Sequence, residues 1–215
     1  MKTSKLAVAL VLSFAGIAAA QQNTKAPAPE KKPRFDVALS GAAVFSKTVS
    51  SSSGAITDSP TNAGAVLGSV RYHFNGLNAV ELNLGHFRNS QIFTVPPDTY
   101  RVTTDVYEFS GAYVLTPFQS KKWQPFLYAG GGGLRFVPGA TYIDTVQGFF
   151  GEKTQTSLAF LYGGGTDYRI WRRIALRVQY RGLVYRNPDF SVPSRFFTGA
   201  RGHLAEPAFG IVAKF

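Results

Sequence analysis

Glu206-Pro-Ala-Phe-Gly-Ile-Val-Ala-Lys-Phe215 decides the fold of this 215-residue chain. Phe209, Ile211, Ala213 and Phe215 share one parity, while Gly210 and Lys214 share the other. Side chains alternate sides with a period of two only in a strand, so the segment is a strand with one apolar face and one mixed face. It stops on an aromatic residue, which places a bare carboxylate beside an apolar edge.

The same period recurs in seven earlier segments: 34–46, 64–75, 79–89, 102–115, 124–136, 155–170 and 174–186, with 203–215 as the eighth. The links between them alternate in length. Short ones follow strands two (Gly76-Leu77-Asn78), four (Thr116 to Trp123, broken by Pro117) and six (Trp171-Arg172-Arg173). Strands one, three, five and seven are followed by stretches of about a dozen residues or more, rich in Ser, Thr, Pro, Gly and Asp, such as Ser50-Ser51-Ser52-Ser53-Gly54 and Val95-Pro96-Pro97-Asp98. Short turns at one end and long loops at the other describe an all-β, eight-stranded antiparallel up-and-down barrel.

Parity leaves open which face is inside. In 102–115, Tyr107, Phe109, Gly111, Tyr113 and Leu115 oppose Glu108, Ser110, Ala112 and Val114; in 174–186, Ile174, Leu176, Val178 and Tyr180 oppose Ala175, Arg177, Gln179 and Arg181. The polar set mixes charge with Ala, Gly and Ser, as a cramped lumen requires. Aromatics on the apolar parity gather near strand ends (Phe35, Phe74, Tyr113, Phe126, Tyr168, Phe215), as an interfacial girdle does. The apolar face therefore points to lipid and the barrel is transmembrane. Its lumen is expected to hold Arg71, Glu81, Asn83, Glu108, Asp167, Arg169, Arg177, Gln179, Arg181 and Glu206. The turn at 171–173 sets Asp167 opposite Arg177, and a three-residue turn at 76–78 sets His73 opposite Glu81 with Arg71 diagonal to it. Eight strands leave room only for side chains, so these charges read as a plug of salt bridges, with a narrow pore for small solutes as the alternative.

The chain start agrees. Lys2 and Lys5, an apolar run from Leu6 to Ala15 and Ala18-Ala19-Ala20 before Gln21 read as a secretory signal peptide over 1–20. Residues 21–33, QQNTKAPAPEKKP, read as a disordered periplasmic tail. The barrel domain is 34–215. Without Lys2 and Lys5 the 23 basic residues become 21, against 12 acidic ones, a net of +9. The arginines are scattered and no helical reader is evident, so nucleic acid is not expected as a partner. Lipopolysaccharide and lipid phosphate are the expected anions.

Here the residues acquire a family likeness. Pro125-Phe-Leu-Tyr-Ala-Gly-Gly-Gly132, then Gly165-Thr-Asp-Tyr-Arg169, then Ala175-Leu-Arg-Val-Gln-Tyr-Arg181, is similar to the OmpA-like and OmpX-like eight-stranded outer-membrane barrels, and the terminal Phe215 resembles their ending. The likeness covers about residues 34–215. It implies a bacterial outer-membrane location after export through the periplasm, and a structural, adhesive or envelope-protective role. It also implies that Phe215 is read by the barrel assembly machinery.

The glycine runs lack GxxxxGK[ST] and a following helix, so they are wall glycines and not phosphate loops. An enzymatic alternative, lipid A modification, rests on His86 in Gly85-His-Phe-Arg-Asn-Ser90. Position 88 is Arg where a nucleophile would stand, Ser90 is four residues away, and no acid is evident to orient the imidazole. No catalytic, cofactor-binding or metal site is assigned; His73 and His203 stand at no metal-ligand spacing. The expected protein is a non-catalytic monomer without cofactors, contributing to envelope structure or surface interaction. An external ligand is expected at loops bearing Lys47, Arg88, Arg101, Lys153, Arg186, Arg195, Arg201, Phe149-Phe150 and Arg195-Phe196-Phe197.

Overall fold

The computed structural model describes residues 34–118, 120, 122–144, 146–148, 151–191 and 198–215. The signal peptide (1–20), the tail (21–33), Phe149-Phe150 and Arg195-Phe196-Phe197 lie outside them. Eleven strands follow one another: β1 (Phe35–Ser46), β2 (Val49–Ser50), β3 (Thr57–Asp58), β4 (Ala63–His73), β5 (Asn78–Val95), β6 (Asp98–Leu115), β7 (Trp123–Ile143), β8 (Val146–Gly148), β9 (Gln155–Arg169), β10 (Ile174–Arg186) and β11 (Arg201–Lys214).

Eight of them close a ring of antiparallel neighbours, β1-β4-β5-β6-β7-β9-β10-β11 and back to β1. The closing pair runs from Asp36 opposite Lys214 to Ser46 opposite Leu204, so the last strand is the seam of the cylinder. Arg34 and Phe35 both donate their backbone N–H to the Phe215 carbonyl, at 2.7 and 3.2 Å. A closed ring leaves no unpaired strand edge, which is what allows strands to stand in lipid.

Large apolar residues face outward along the wall, except that β7 turns most of its own, Phe126, Tyr128, Leu134 and Phe136, inward. Phe109, Leu127, Leu158, Phe209 and Ile211 are among the most exposed apolar residues, Leu158 at 85%. Water would not tolerate such a band, whereas lipid does. Near the short turns an aromatic collar closes it: Phe35 and Tyr72 rings lie 4.9 Å apart, Tyr72 and Phe74 5.4 Å, Trp123 and Tyr168 4.9 Å.

The wall differs from the sequence expectation in three places. First, 95–98 is no long loop: β5 and β6 stay paired up to Val95 opposite Asp98, leaving a two-residue link, Pro96-Pro97. The period of two continues through Gln91, Phe93, Tyr100 and Val102, all inward and buried, and the prolines sit where no ladder N–H is needed. Second, β7 runs on to Ile143 and turns back through β8. Third, the first short turn is longer than expected. Phe74 N–H bonds the Asn78 carbonyl and Asn75 Oδ1 accepts from the N–H of Leu77 and Asn78, so the register places Arg71, not His73, opposite Glu81.

The glycine runs build the wall. A Cβ at Gly132 would collide with the Phe109 carbonyl oxygen and Ser110 Cα, and one at Gly130 with the Gly111 carbonyl. β6 and β7 coil tightly against each other here, and only a residue without a side chain fits.

Candidate functional site

The lumen divides into two halves. The half near the short turns is ionic. Arg177 spans two carboxylates, with Nε to Asp167 Oδ1 at 2.7 Å, Nη2 to Asp167 Oδ2 at 3.1 Å and Nη1 to Glu81 Oε2 at 3.0 Å. Arg71 Nε donates to the same Glu81 oxygen at 2.8 Å. Lys214 Nζ stands 3.4 Å from Asp167 and 3.8 Å from Asp36, and also holds Gln124 Oε1. His73 Nε2 meets Asp36 Oδ2 at 2.8 Å. Three fixed cations, Arg71, Arg177 and Lys214, face three carboxylates, Asp36, Glu81 and Asp167, and all six are buried. Such charges are tolerable out of water only when paired and hydrogen-bonded in this way.

Phe126 lies inside this cluster, 1% exposed, with the Arg71 and Arg177 guanidinium carbons 4.2 and 4.9 Å from its ring centroid. It was expected in the lipid girdle; the strand register puts it on the lumen parity with Tyr128 and Leu134. Its π face offsets the approach of two like charges. Higher up, Arg181 binds Glu108, which also accepts from Ser110 Oγ at 2.6 Å, and stands 3.4 Å from Glu206.

Of the ten residues expected inside, Arg169 alone is exposed, at the short-turn rim. The expected Asp167–Arg177 pair is formed. Links to Glu81 from Arg177 and to Glu108 from Arg181 cross the lumen between strands far apart in sequence, which no local pattern could specify.

Toward the long loops large apolar side chains predominate in the lumen, which was expected to be polar, beside buried Asn89, Gln91, Thr104 and Glu152. Phe93, Tyr100, Val102, Val106, Leu134, Phe136, Leu183 and Leu204 are all buried within it. Phe190 caps them, fully buried, edge-on to Phe93 and Phe136 at 6.4 and 6.5 Å. Its backbone is held by Gln155 Oε1, which accepts from the N–H of Asp189 and Phe190 at 2.8 and 3.0 Å. Asp58, brought in by the β2–β3 hairpin, accepts from Asn187 Nδ2 at 2.7 Å and Ile92 N–H at 3.2 Å. Burial pushes its carboxyl up to about 7, partly offset by those two donors.

On the outer wall, His86 has an acid within reach after all: its Nε2 is 3.4 Å from Asp105 Oδ1. Asp105 is mainly held by Arg88, through Nε at 2.8 Å and Nη2 at 2.7 Å. The acid comes from the neighbouring strand, 19 residues on, so only the β5–β6 register reveals it. Ser90 Oγ faces Thr103 Oγ1 at 3.4 Å. Among the described residues no group of three metal-ligating side chains converges.

A family model described as "Outer membrane protein beta-barrel domain" matches residues 7–194. No curated protein matches. Among solved structures, the outer membrane protein OprG from Pseudomonas aeruginosa is similar over 86% of this chain and 97% of its own, with 13% identity and TM-score 0.58. Neisserial surface protein A is similar over 84% and 97%, with 18% identity and TM-score 0.51. Ail, the attachment invasion locus protein of Yersinia pestis, is similar over 86% and 100%, with 12% identity and TM-score 0.51. At such identities the structures speak for the shared barrel alone. With the family match over most of its length, the chain belongs to the outer-membrane β-barrel protein family, of the OmpA-like and OmpX-like kind, and resides in the bacterial outer membrane.

Proposed function

We propose that this protein is a non-catalytic, monomeric envelope barrel with a sealed lumen, working through its outer surface. What carries this reading is the interior: an ionic lower half around Arg177 and a largely apolar upper half capped by Phe190. A path for solute would need charges unpaired below or rings displaced above. Its surface role is envelope structure, lipopolysaccharide contact through basic residues at the long-loop end (Lys47, Arg88, Arg101, Arg186, Arg201), and binding of an external ligand by the loops. Replacing 145–152 and 192–199 with short Gly-Ser links tests the loop reading: surface binding and envelope integrity should fall, and no change in either would defeat it. Export by the 1–20 signal and delivery by the assembly machinery through Phe215 complete the proposal. Cells carrying Phe215→Ala should place less barrel in the outer membrane.

A hydrolytic reading has the His86–Asp105 pair in its favour. The serine of that segment, Ser90, is engaged with Thr103, and position 88 is the arginine that holds Asp105. Mass spectrometry of lipid A from cells with and without the protein should show the same acylation.

A further inference from the structure

The outer wall carries a depression of about 620 Å³ across β1, β4 and β5, lined among others by Gly41, Gly64, Val66, His86 and Arg88. The register sets Gly41 opposite Val66, and Val66 opposite His86, so the hollow crosses three strands at one height. It exists because the wall is bare there. Side chains added at Gly41 or Gly64 would meet nothing within 4 Å. The same row continues from His86 to Tyr107 and from Tyr107 to Arg135, both exposed on the outer face.

Chemistry changes sharply at this height. Below it, the outward face of β5 is Leu84, Leu82 and Val80; at it stand His86 and Arg88, the latter 67% exposed. Asp105 binds Arg88 through Nε and Nη2, fixing the guanidinium and leaving Nη1 free of that carboxylate. Arg135 stands outside the hollow, two strands along this row from His86, so the row and its rim carry two guanidiniums, Arg88 and Arg135, against the carboxylate of Asp105, an excess of one positive charge before His86 is counted. A cationic head above a smooth apolar hollow matches an anionic head group with an attached chain. Phosphate suits it best, since a guanidinium offers paired donors to phosphate oxygens.

We infer that this hollow is a lipid site for a phosphorylated, multiply acylated glycolipid of the lipid A type. One acyl chain lies over Gly41 and Gly64, and a phosphate meets Arg88 and Arg135. The site is on the long-loop half, which faces the outer leaflet, and it rests on the lipopolysaccharide contact proposed above.

The test uses the full barrel in phosphatidylcholine nanodiscs containing either lipid A or phosphatidylglycerol, with retained lipid counted by native mass spectrometry. Three variants are compared: Gly64→Leu, which fills the hollow; Arg88→Gln with Asp105→Asn, which removes the head contact without stranding a charge; and Arg186→Gln with Arg201→Gln on the rim. Heat-modifiable gel mobility verifies that each is folded. Wild type should retain one lipid A per barrel, the first two variants at least tenfold less, and the rim variant, which loses only peripheral contacts of the wider surface, within about threefold of wild type. Equal retention of phosphatidylglycerol, or wild-type retention in both hollow variants, overturns the site. If only the rim variant loses lipid A, the broader lipopolysaccharide reading stands and the site falls; if wild type retains none, both fall.

Discussion

The two halves of the lumen fill the same eight-stranded cylinder by opposite means. Toward the short turns, Arg71, Arg177 and Lys214 neutralise Asp36, Glu81 and Asp167, and two of the cations lie against one ring, Phe126. Toward the loops, Phe93, Tyr100, Val106, Leu134, Phe136 and Phe190 make a core like that of a water-soluble domain. The ionic half tolerates little truncation, because a partner left behind is a buried charge. Truncating one of the apolar side chains of the upper half removes contacts without stranding a charge, and the loss should show first at the mouth. One barrel thus has an ionic base and a largely apolar top.

The largest effect should come from the wall that both halves share. Gly132→Val would drive a side chain into the β6 backbone, and no folded, heat-modifiable band should form on refolding into lipid vesicles. A folded band would show that β6 and β7 are less tightly coiled than described. Next, Arg177→Met strands Asp167 and part of the Glu81 pairing, and should cost about 3–5 kcal/mol in urea unfolding from vesicles. A loss below about 1 kcal/mol would mean that the ionic half is held by its apolar neighbours.

In the other half, Phe190→Ala should cost about 3 kcal/mol, the low end for a buried phenylalanine, since its site lies at the barrel end. The loss should appear as faster proteolysis of the long loops, with the membrane-embedded ladder still protected from hydrogen exchange. Uniform loss of protection would erase the contrast between base and top.

The smallest effect is that of pH on the mouth. The Asp58 carboxyl, raised to about 7 by burial, keeps its proton in the fold over a range where the unfolded chain, at about 3.9, has released it. The folded state then binds more protons, so closure is strongest below about pH 4, weakens up to about pH 7 and levels off above. Loop proteolysis should therefore be faster at pH 8 than at pH 5, and Asp58→Asn should flatten that difference. An unchanged pH profile in Asp58→Asn would remove this carboxyl from the latch.

How much of this was legible beforehand follows the same division. The wall could be read from the chain, because period-two alternation and short turns are local: all eight strands, the lipid-facing parity and the Asp167–Arg177 pair follow from neighbours in sequence. The base was legible in membership but not in wiring, since Arg177–Glu81 and Arg181–Glu108 span the lumen between distant strands. Phe126 went astray because an aromatic near a strand end reads as girdle until the register is known. The top was least legible. Pro96-Pro97 looks like a loop although the alternation runs on to it, and apolar residues on the lumen parity of the long hairpins look like loop residues unless the strands are known to extend. His86 lacked an acid only while Asp105 was read on its own strand.

On the function proposed above, base and top together close the lumen, and a planar-bilayer recording of the folded wild-type barrel measures that closure without any mutation. The prediction is a flat trace under applied voltage, at neutral and acidic pH alike. Steady, reproducible single-channel steps from the folded protein would contradict it.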